Sequence, residues 1–242
     1  MKPKLKIRTI EDIASWFSTI LGFGLKASPI VLFYQIAVGN KNIEIVPEML
    51  IILNVLSAEL WFSYWIRIGT KLAPIVSSSV SLVLGLIFSF IYLFYFSSKK
   101  CSKFFIYLIL EVLTVALLYH SLNFMELKFV GLIANIVNIL NFISPAQRIV
   151  RVCKEKNYSL IPIVTTVLGC ISSFGWLVFG ILIKDYNVII PNSISVLIAL
   201  FNTLIWCYFY CSSKQKKEKK DKENEEEMIE TNRGDDEEMK EI

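Results

Sequence analysis

Few side chains in this sequence could carry out covalent chemistry. There is one histidine, His120, and the five cysteines (Cys101, Cys153, Cys170, Cys207 and Cys211) show no CxxC spacing. A His-rich metal site or a Ser-His-Asp triad would hinge on that single imidazole. An odd number of cysteines, most of them inside apolar runs, reads as small hydrophobes rather than a disulfide framework. No nucleophile, base and metal set assembles, so no enzyme is expected, and no cofactor or metal is implied. Two other groups of residues stand out. Lys26, Glu59 and Glu111 are ionisable side chains embedded in apolar runs, where charge is a functional candidate by default and a buried Glu can act as a proton carrier. Trp61 and Trp176 recur at matching places in two similar stretches, and each offers a flat apolar plate with one N–H donor.

The elements that must position these residues follow from composition. The chain has 242 residues, of which 55% are hydrophobic and 19% charged, against roughly 25% charged in an ordinary soluble domain. Residues 213–242 hold 8 Lys/Arg and 12 Asp/Glu, so this tail carries −4 and the body before it +8. The body cannot bury apolar runs on every helix face in water. A helix needs about 20 apolar residues to cross a bilayer. Seven such runs can be read, over about 13–38, 47–66, 72–96, 104–124, 129–152, 160–183 and 188–211. Membrane-barrel strands would alternate and be about ten residues long, which these are not. The basic residues are scattered between apolar runs and form no stripe, so nucleic acid is not an expected partner. No cleavable signal peptide is expected either, since the first apolar stretch runs on through Pro29 without a small-residue cleavage site.

Loop charges predict the direction of insertion. Loops after the second, fourth and sixth spans hold Arg67, Lys71, Lys128 and Lys184. Loops after the first, third and fifth hold eight basic residues, and Lys214, Lys216, Lys217, Lys219, Lys220 and Lys222 follow the last span. Positive-inside places the C-terminus in the cytosol and the N-terminus outside, against the opposing pull of Lys2, Lys4, Lys6 and Arg8. Residues 1–12 read as an extracellular tail. Residues 212–242 read as a disordered, charged cytosolic tail.

The chain repeats itself. Ser28-Pro29 matches Ser144-Pro145 at an offset of 116, while Pro47 matches Pro162 and Trp61 matches Trp176 at 115. The first three spans (13–96) therefore recur as the last three (129–211), with the fourth (104–124) left over as a linker. Three is an odd number, so the linker makes the two units parallel, with a pseudo-symmetry axis along the membrane normal. Such repeats favour a transporter with its site between the halves.

The ordered set Ser144-Pro145, Pro162, Trp176, Gly180 and Pro191-Asn192, with Ser28-Pro29, Pro47, Asn54 and Trp61 in the first copy, resembles the SWEET sugar-transporter family over residues 13 to 211. The resemblance implies an all-α membrane protein of seven helices, two parallel three-helix bundles joined by a linker helix. It implies a substrate site from Asn192, Trp176, Ser78, Trp61, Ala58 and Asn54. Here Ser78 stands opposite Asn192, and Ala58 replaces a pocket-lining position, so the first half is less polar. It also implies hinges at Pro29, Pro47, Pro145 and Pro162, and an outer gate of Lys71 and Asp185.

The function expected is facilitative uniport of mono- or disaccharides, most simply glucose or another hexose, by alternating access in the plasma membrane. Asn192 and Ser78 would bond sugar hydroxyls, and the tryptophans would stack on the ring. Lys26 and Glu59 are expected to be polar partners inside the first repeat. The partners implied are a small sugar and the lipid bilayer; a homo-oligomer is compatible but not required. The competing reading is a PQ-loop carrier for cystine or cationic amino acids in a lysosome-like organelle, but both copies carry Ser-Pro where that family has Pro-Gln. A seven-helix receptor would not be built as a 3+1+3 repeat.

Overall fold

The computed structural model describes residues 3–39, 48–69, 71–97 and 101–238, and every regular element among them is helical. Helices α1 (Pro3–Ala27) and α2 (Pro29–Ala37) form one broken rod, followed by α3 (Glu48–Ile68) and α4 (Leu72–Ser97). Helix α5 (Cys101–Asn123) comes next. A second broken rod, α6 (Leu127–Asn141) and α7 (Ile143–Glu155), leads through a 3-10 turn at Tyr158–Leu160 to α8 (Ile163–Ile183) and α9 (Tyr186–Glu238). Six of these rods are long and apolar enough to cross a membrane. Helix α6 has 15 residues, about 22 Å at 1.5 Å per residue, so it needs α7 to complete a crossing of about 30 Å. Phe105, Ile106, Ile109, Val112 and Leu113 on α5 are each more than half exposed. Such a stripe is unfavourable in water and natural against lipid tails. The protein is a multi-pass membrane protein.

Proline chemistry explains the broken rods. Pro29 has no N–H to offer the Leu25 carbonyl; the Ser28 N–H takes that carbonyl instead at 3.2 Å in a tighter turn. In the second rod Pro145 cannot serve the Asn141 carbonyl, and the break falls just beside it. The Phe142 N–H closes a short turn on Ile139 O at 3.0 Å, and α7 restarts at Ile143. The span expected to be continuous over 129–152 is therefore two helices. Pro162 sits at the start of α8, where its carbonyl accepts from the Thr166 N–H at 3.0 Å. Pro47 lies outside the described residues.

Two expected tails differ from the structure. Helix α1 begins at Pro3, inside the segment 1–12. Helix α9 continues to Glu238, through most of the segment 212–242 expected to be disordered. The tail sequence sets Lys and Glu four apart (Lys214 and Glu218, Lys219 and Glu223, Lys222 and Glu226), a spacing that favours helix without any buried face.

Helix α4 packs against both α1 and α3, and α9 against both α8 and α6. The halves join where α1 meets α8 and where α3 meets α6. These two junctions exchange when one half is laid on the other, as a two-fold relation requires. Helix α5 leans on α3 and α4 of the first half. The two junctions are packed differently. At the α1–α8 seam a Cβ on Gly175 would lie 2.1 Å from Ser18 Oγ, and Ser172 Oγ donates to the Ser18 carbonyl at 3.1 Å. Small residues bring these helices together. At the α3–α6 seam the counterparts of Gly22, Gly169 and Gly175 are Asn138, Asn54 and Leu60. The small residues of the α1–α8 seam are thus replaced by larger side chains at these three positions.

Candidate functional site

A cavity of about 540 Å³ opens at the join of the halves, lined from α1, α3 and α4 on one side and from α6, α8 and α9 on the other, within the roughly 300–1,000 Å³ range of small-molecule pockets. All six residues expected at a substrate site line it: Asn54, Ala58 and Trp61 from α3, Ser78 from α4, Trp176 from α8 and Asn192 from α9. Their free valences differ. Asn192 Nδ2 donates to Val188 O at 2.8 Å, which fixes the amide and leaves its carbonyl oxygen for a guest. Ser78 Oγ donates within its own helix, to Pro74 O at 2.8 Å. Ser78 therefore offers acceptor capacity and no free proton. Ala58 contributes an apolar wall. Asn54 makes no hydrogen bond to the protein and is exposed to the cavity; its amide is free to donate and accept.

The structure adds polar groups that the sequence reading missed. Asn138 and Asn141 on α6 line the same space, as do Ser57 and Ser77, beside Lys26, which the sequence had singled out. Ser57 Oγ donates to Asn138 Oδ1 at 2.9 Å across the seam, and Asn141 Oδ1 is buried without a partner. A signal was present: Asn135, Asn138 and Asn141 recur every third residue in an apolar run, which puts three amides along one side of a helix.

Above the cavity, toward the Lys71 and Asp185 end, aromatic side chains from both halves close the path. Trp65 packs on Phe179 with ring centroids 6.0 Å apart, Trp61 lies 6.2 Å from Trp65, and Trp176 meets Phe179 edge-on at 5.7 Å. Phe179 is fully buried. Beyond these rings a hydrogen-bonded chain ties the halves again. Tyr64 Oη donates to Asp185 Oδ2 at 2.8 Å and accepts from Asn187 Nδ2 at 3.0 Å, and Asn135 Nδ2 donates to Asn187 Oδ1 at 3.0 Å. Gly131 makes room, since a Cβ there would lie 2.8 Å from the Asn187 amide and 3.0 Å from the Tyr64 ring.

Lys71 and Asp185 do not form the direct pair expected of a gate. Lys71 Nζ bonds Asp12 Oδ1 at 2.8 Å and Glu11 Oε2 at 3.0 Å, both on α1 of its own half. Partial burial pulls the Lys71 ammonium down, but the two carboxylates outweigh it and hold its pKa above the ordinary value. Asp185 closes on Tyr64 of the other half. The two residues share the mouth through different partners.

Lys26 and Glu59 are not each other's partners either. Lys26 Nζ donates to Ser77 O and Ser77 Oγ, both at 2.7 Å. Glu59 is 1% exposed and faces Thr114 and Glu111 of α5. Neighbouring residues of one helix point to different sides, so Ala58 can face the cavity while Glu59 faces the linker helix. Glu111 on α5 accepts from Ser89 of α4.

Residues 128–216 match a family model described as "Sugar efflux transporter for intercellular exchange". The chain is 28% identical to Bidirectional sugar transporter SWEET8 of Arabidopsis thaliana, over 87% of this chain and 92% of that one. It is 24% identical to Sugar transporter SWEET1 of Dictyostelium discoideum, over 84% and 94% respectively. The fold matches a solved eukaryotic SWEET transporter with a TM-score of 0.72, at 18% identity, covering 83% of this chain and 99% of that chain. With the repeated Ser-Pro and Trp positions, the chain is similar to SWEET sugar transporters over most of its length and shares their fold.

Proposed function

We propose that this protein is a facilitative sugar carrier, a uniporter for a hexose-sized guest that works by alternating access. The observation that carries this reading is the cavity itself. It lies between two like-oriented helix triplets, and Trp61 and Trp176 supply flat apolar faces beside the amide of Asn54 and the unpartnered amide oxygens of Asn141 and Asn192. A sugar presents both hydroxyls and flat C–H faces, and this lining answers both. No Asp or Glu is among the described lining residues, which favours a passive cycle over proton coupling. Positive-inside places the Lys71 and Asp185 end outside and the charged C-terminus in the cytosol. The aromatic and hydrogen-bonded closure then seals the outer face, and the conformer is one that releases cargo inward. The helix breaks at Pro29 and Phe142 lie toward the opposite end, where bending would open or close the inner path. Relatives in Arabidopsis thaliana and Dictyostelium discoideum named as sugar transporters support the substrate class.

The test is uptake by the purified full chain in liposomes, offered glucose, fructose, sucrose, cystine and lysine in turn. Saturable sugar flux that follows the gradient in either direction, is unchanged by an imposed proton gradient and is lost in Asn192→Ala is the expected result. Uptake of cystine or lysine without sugar, or accumulation of sugar against its gradient when protons flow inward, would overturn it.

A further inference from the structure

Lys26 is the only charged side chain among the described residues that line the cavity. Its stem runs back along α1 beside Gly22, where a Cβ would lie 3.9 Å from Lys26 Cε. Its ammonium meets only the carbonyl and hydroxyl of Ser77. An ammonium has three N–H donors, so two are used and one is left. No described carboxylate stands within ion-pair distance of it; Glu59 and Glu111 face one another's helices on the far side of α3. A cation removed from water without a counter-charge is costly, and a guest anion would offset that cost.

The chemistry of the rest of the lining narrows the anion. There is one cation and no guanidinium fork, so a phosphate dianion would leave one charge unmatched. A carboxylate needs one cation and one or two further donors. The remaining lining, with Asn54, Asn141, Asn192 and the three tryptophans Trp61, Trp65 and Trp176, suits a polyhydroxylated ring or chain. The counterpart of Lys26 in the second half is Phe142, so the charge occurs once and would orient the guest. Its carboxylate would lie against α1 and α4, and its hydroxyls toward α3 and α6. We propose that the cavity prefers a sugar bearing one carboxylate, of the uronate or aldonate class, with Lys26 as its specificity-determining ligand.

This inference rests on the sugar-carrier reading, and the experiment separates the two. Exchange of labelled glucose in proteoliposomes of the full chain is competed with unlabelled glucuronate, gluconate or glucose. Glucuronate or gluconate is expected to compete at lower concentration than glucose. Lys26→Gln is expected to lower the ratio of acid to neutral-sugar affinity by roughly ten- to a hundredfold, the worth of one charge-assisted hydrogen bond. Lys26→Arg should keep the preference for the acid. If Lys26→Gln does not fold, the competition in the unaltered protein together with Lys26→Arg still decides. Exchange of glucose with no advantage for either acid, or an unchanged ratio in Lys26→Gln, overturns the inference and leaves the sugar-carrier reading standing. Absence of any sugar exchange removes both.

Discussion

The two helix triplets share a skeleton and differ in how each meets the other half. Where α8 meets α1, Gly175 and Ser18 are in such close approach that a methyl group would collide, and Ser172 bonds the backbone of its neighbour. At the equivalent junction of α3 and α6, Ser57 bonds a side chain, Asn138, and both residues line the cavity. One seam is an axle of backbone contacts and the other is a polar cleft. A repeated fold can thus line its cavity unequally from the two halves by changing a few side chains, Gly22 for Asn138 and Gly175 for Leu60.

The largest expected effect is on the axle. Gly175→Leu introduces the residue that the other half carries at this position, and overpacking there should cost about 1–3 kcal/mol. It would be read as a lower thermal unfolding temperature in detergent, while Asn138→Leu in the cleft should unfold normally yet abolish flux. A stable Gly175→Leu protein would mean that the seams are equivalent. Next come the cavity amides. Asn54→Ala and Asn141→Ala each remove a free partner, worth about 1 kcal/mol, so the half-saturation concentration for sugar should rise about fivefold. An equal effect from Gly169→Ala, the counterpart of Asn54 on the closed seam, would contradict the asymmetry.

The outer mouth should respond less. Phe179 occupies in the second half the place of Tyr64 in the first, and only Tyr64 has the hydroxyl that reaches Asp185 and Asn187. Tyr64→Phe removes two hydrogen bonds and should raise labelling of a cysteine placed at Asn192 from outside, by a few-fold. The smallest effect is at Lys71. Its pair with Glu11 and Asp12 is partly exposed, and such pairs contribute about 1 kcal/mol or less. Because its pKa is raised above 10.5, the contribution is present in full at neutral pH and is lost only as pH rises through the raised value. Lys71→Met should therefore change outside labelling slightly and equally across the neutral range, and a pH-dependent difference there would assign the mouth to another group.

Much of this was legible before any coordinates. Apolar run length set the seven crossings, and the Ser-Pro and Trp offsets paired the halves. The residues implied by resemblance, Asn192, Trp176, Ser78, Trp61, Ala58 and Asn54, do meet around one space. What escaped was what depends on helix rotation and on neighbours. Lys71 and Asp185 are equivalent in the repeat and opposite in charge, which suggests a pair, but Glu11 and Asp12 are closer competitors for Lys71. Lys26 and Glu59 both sit in the first half, yet one faces the cavity and the other α5. The tail looked disordered because it has no apolar face, while its Lys and Glu spacing supports helix on its own.

The account stands on sugar occupying the α3–α6 cleft and not its mirror seam. With the five native cysteines replaced by serine, Asn138→Cys and Gly22→Cys occupy matched positions in the two halves, and their reaction with a small membrane-permeant thiol reagent can be followed with and without sugar. Rapid modification of Asn138→Cys, slowed by transported sugar, beside a nearly inert Gly22→Cys is the outcome this structure requires. Equal modification of the two, or modification of Asn138→Cys that sugar does not slow, would contradict it.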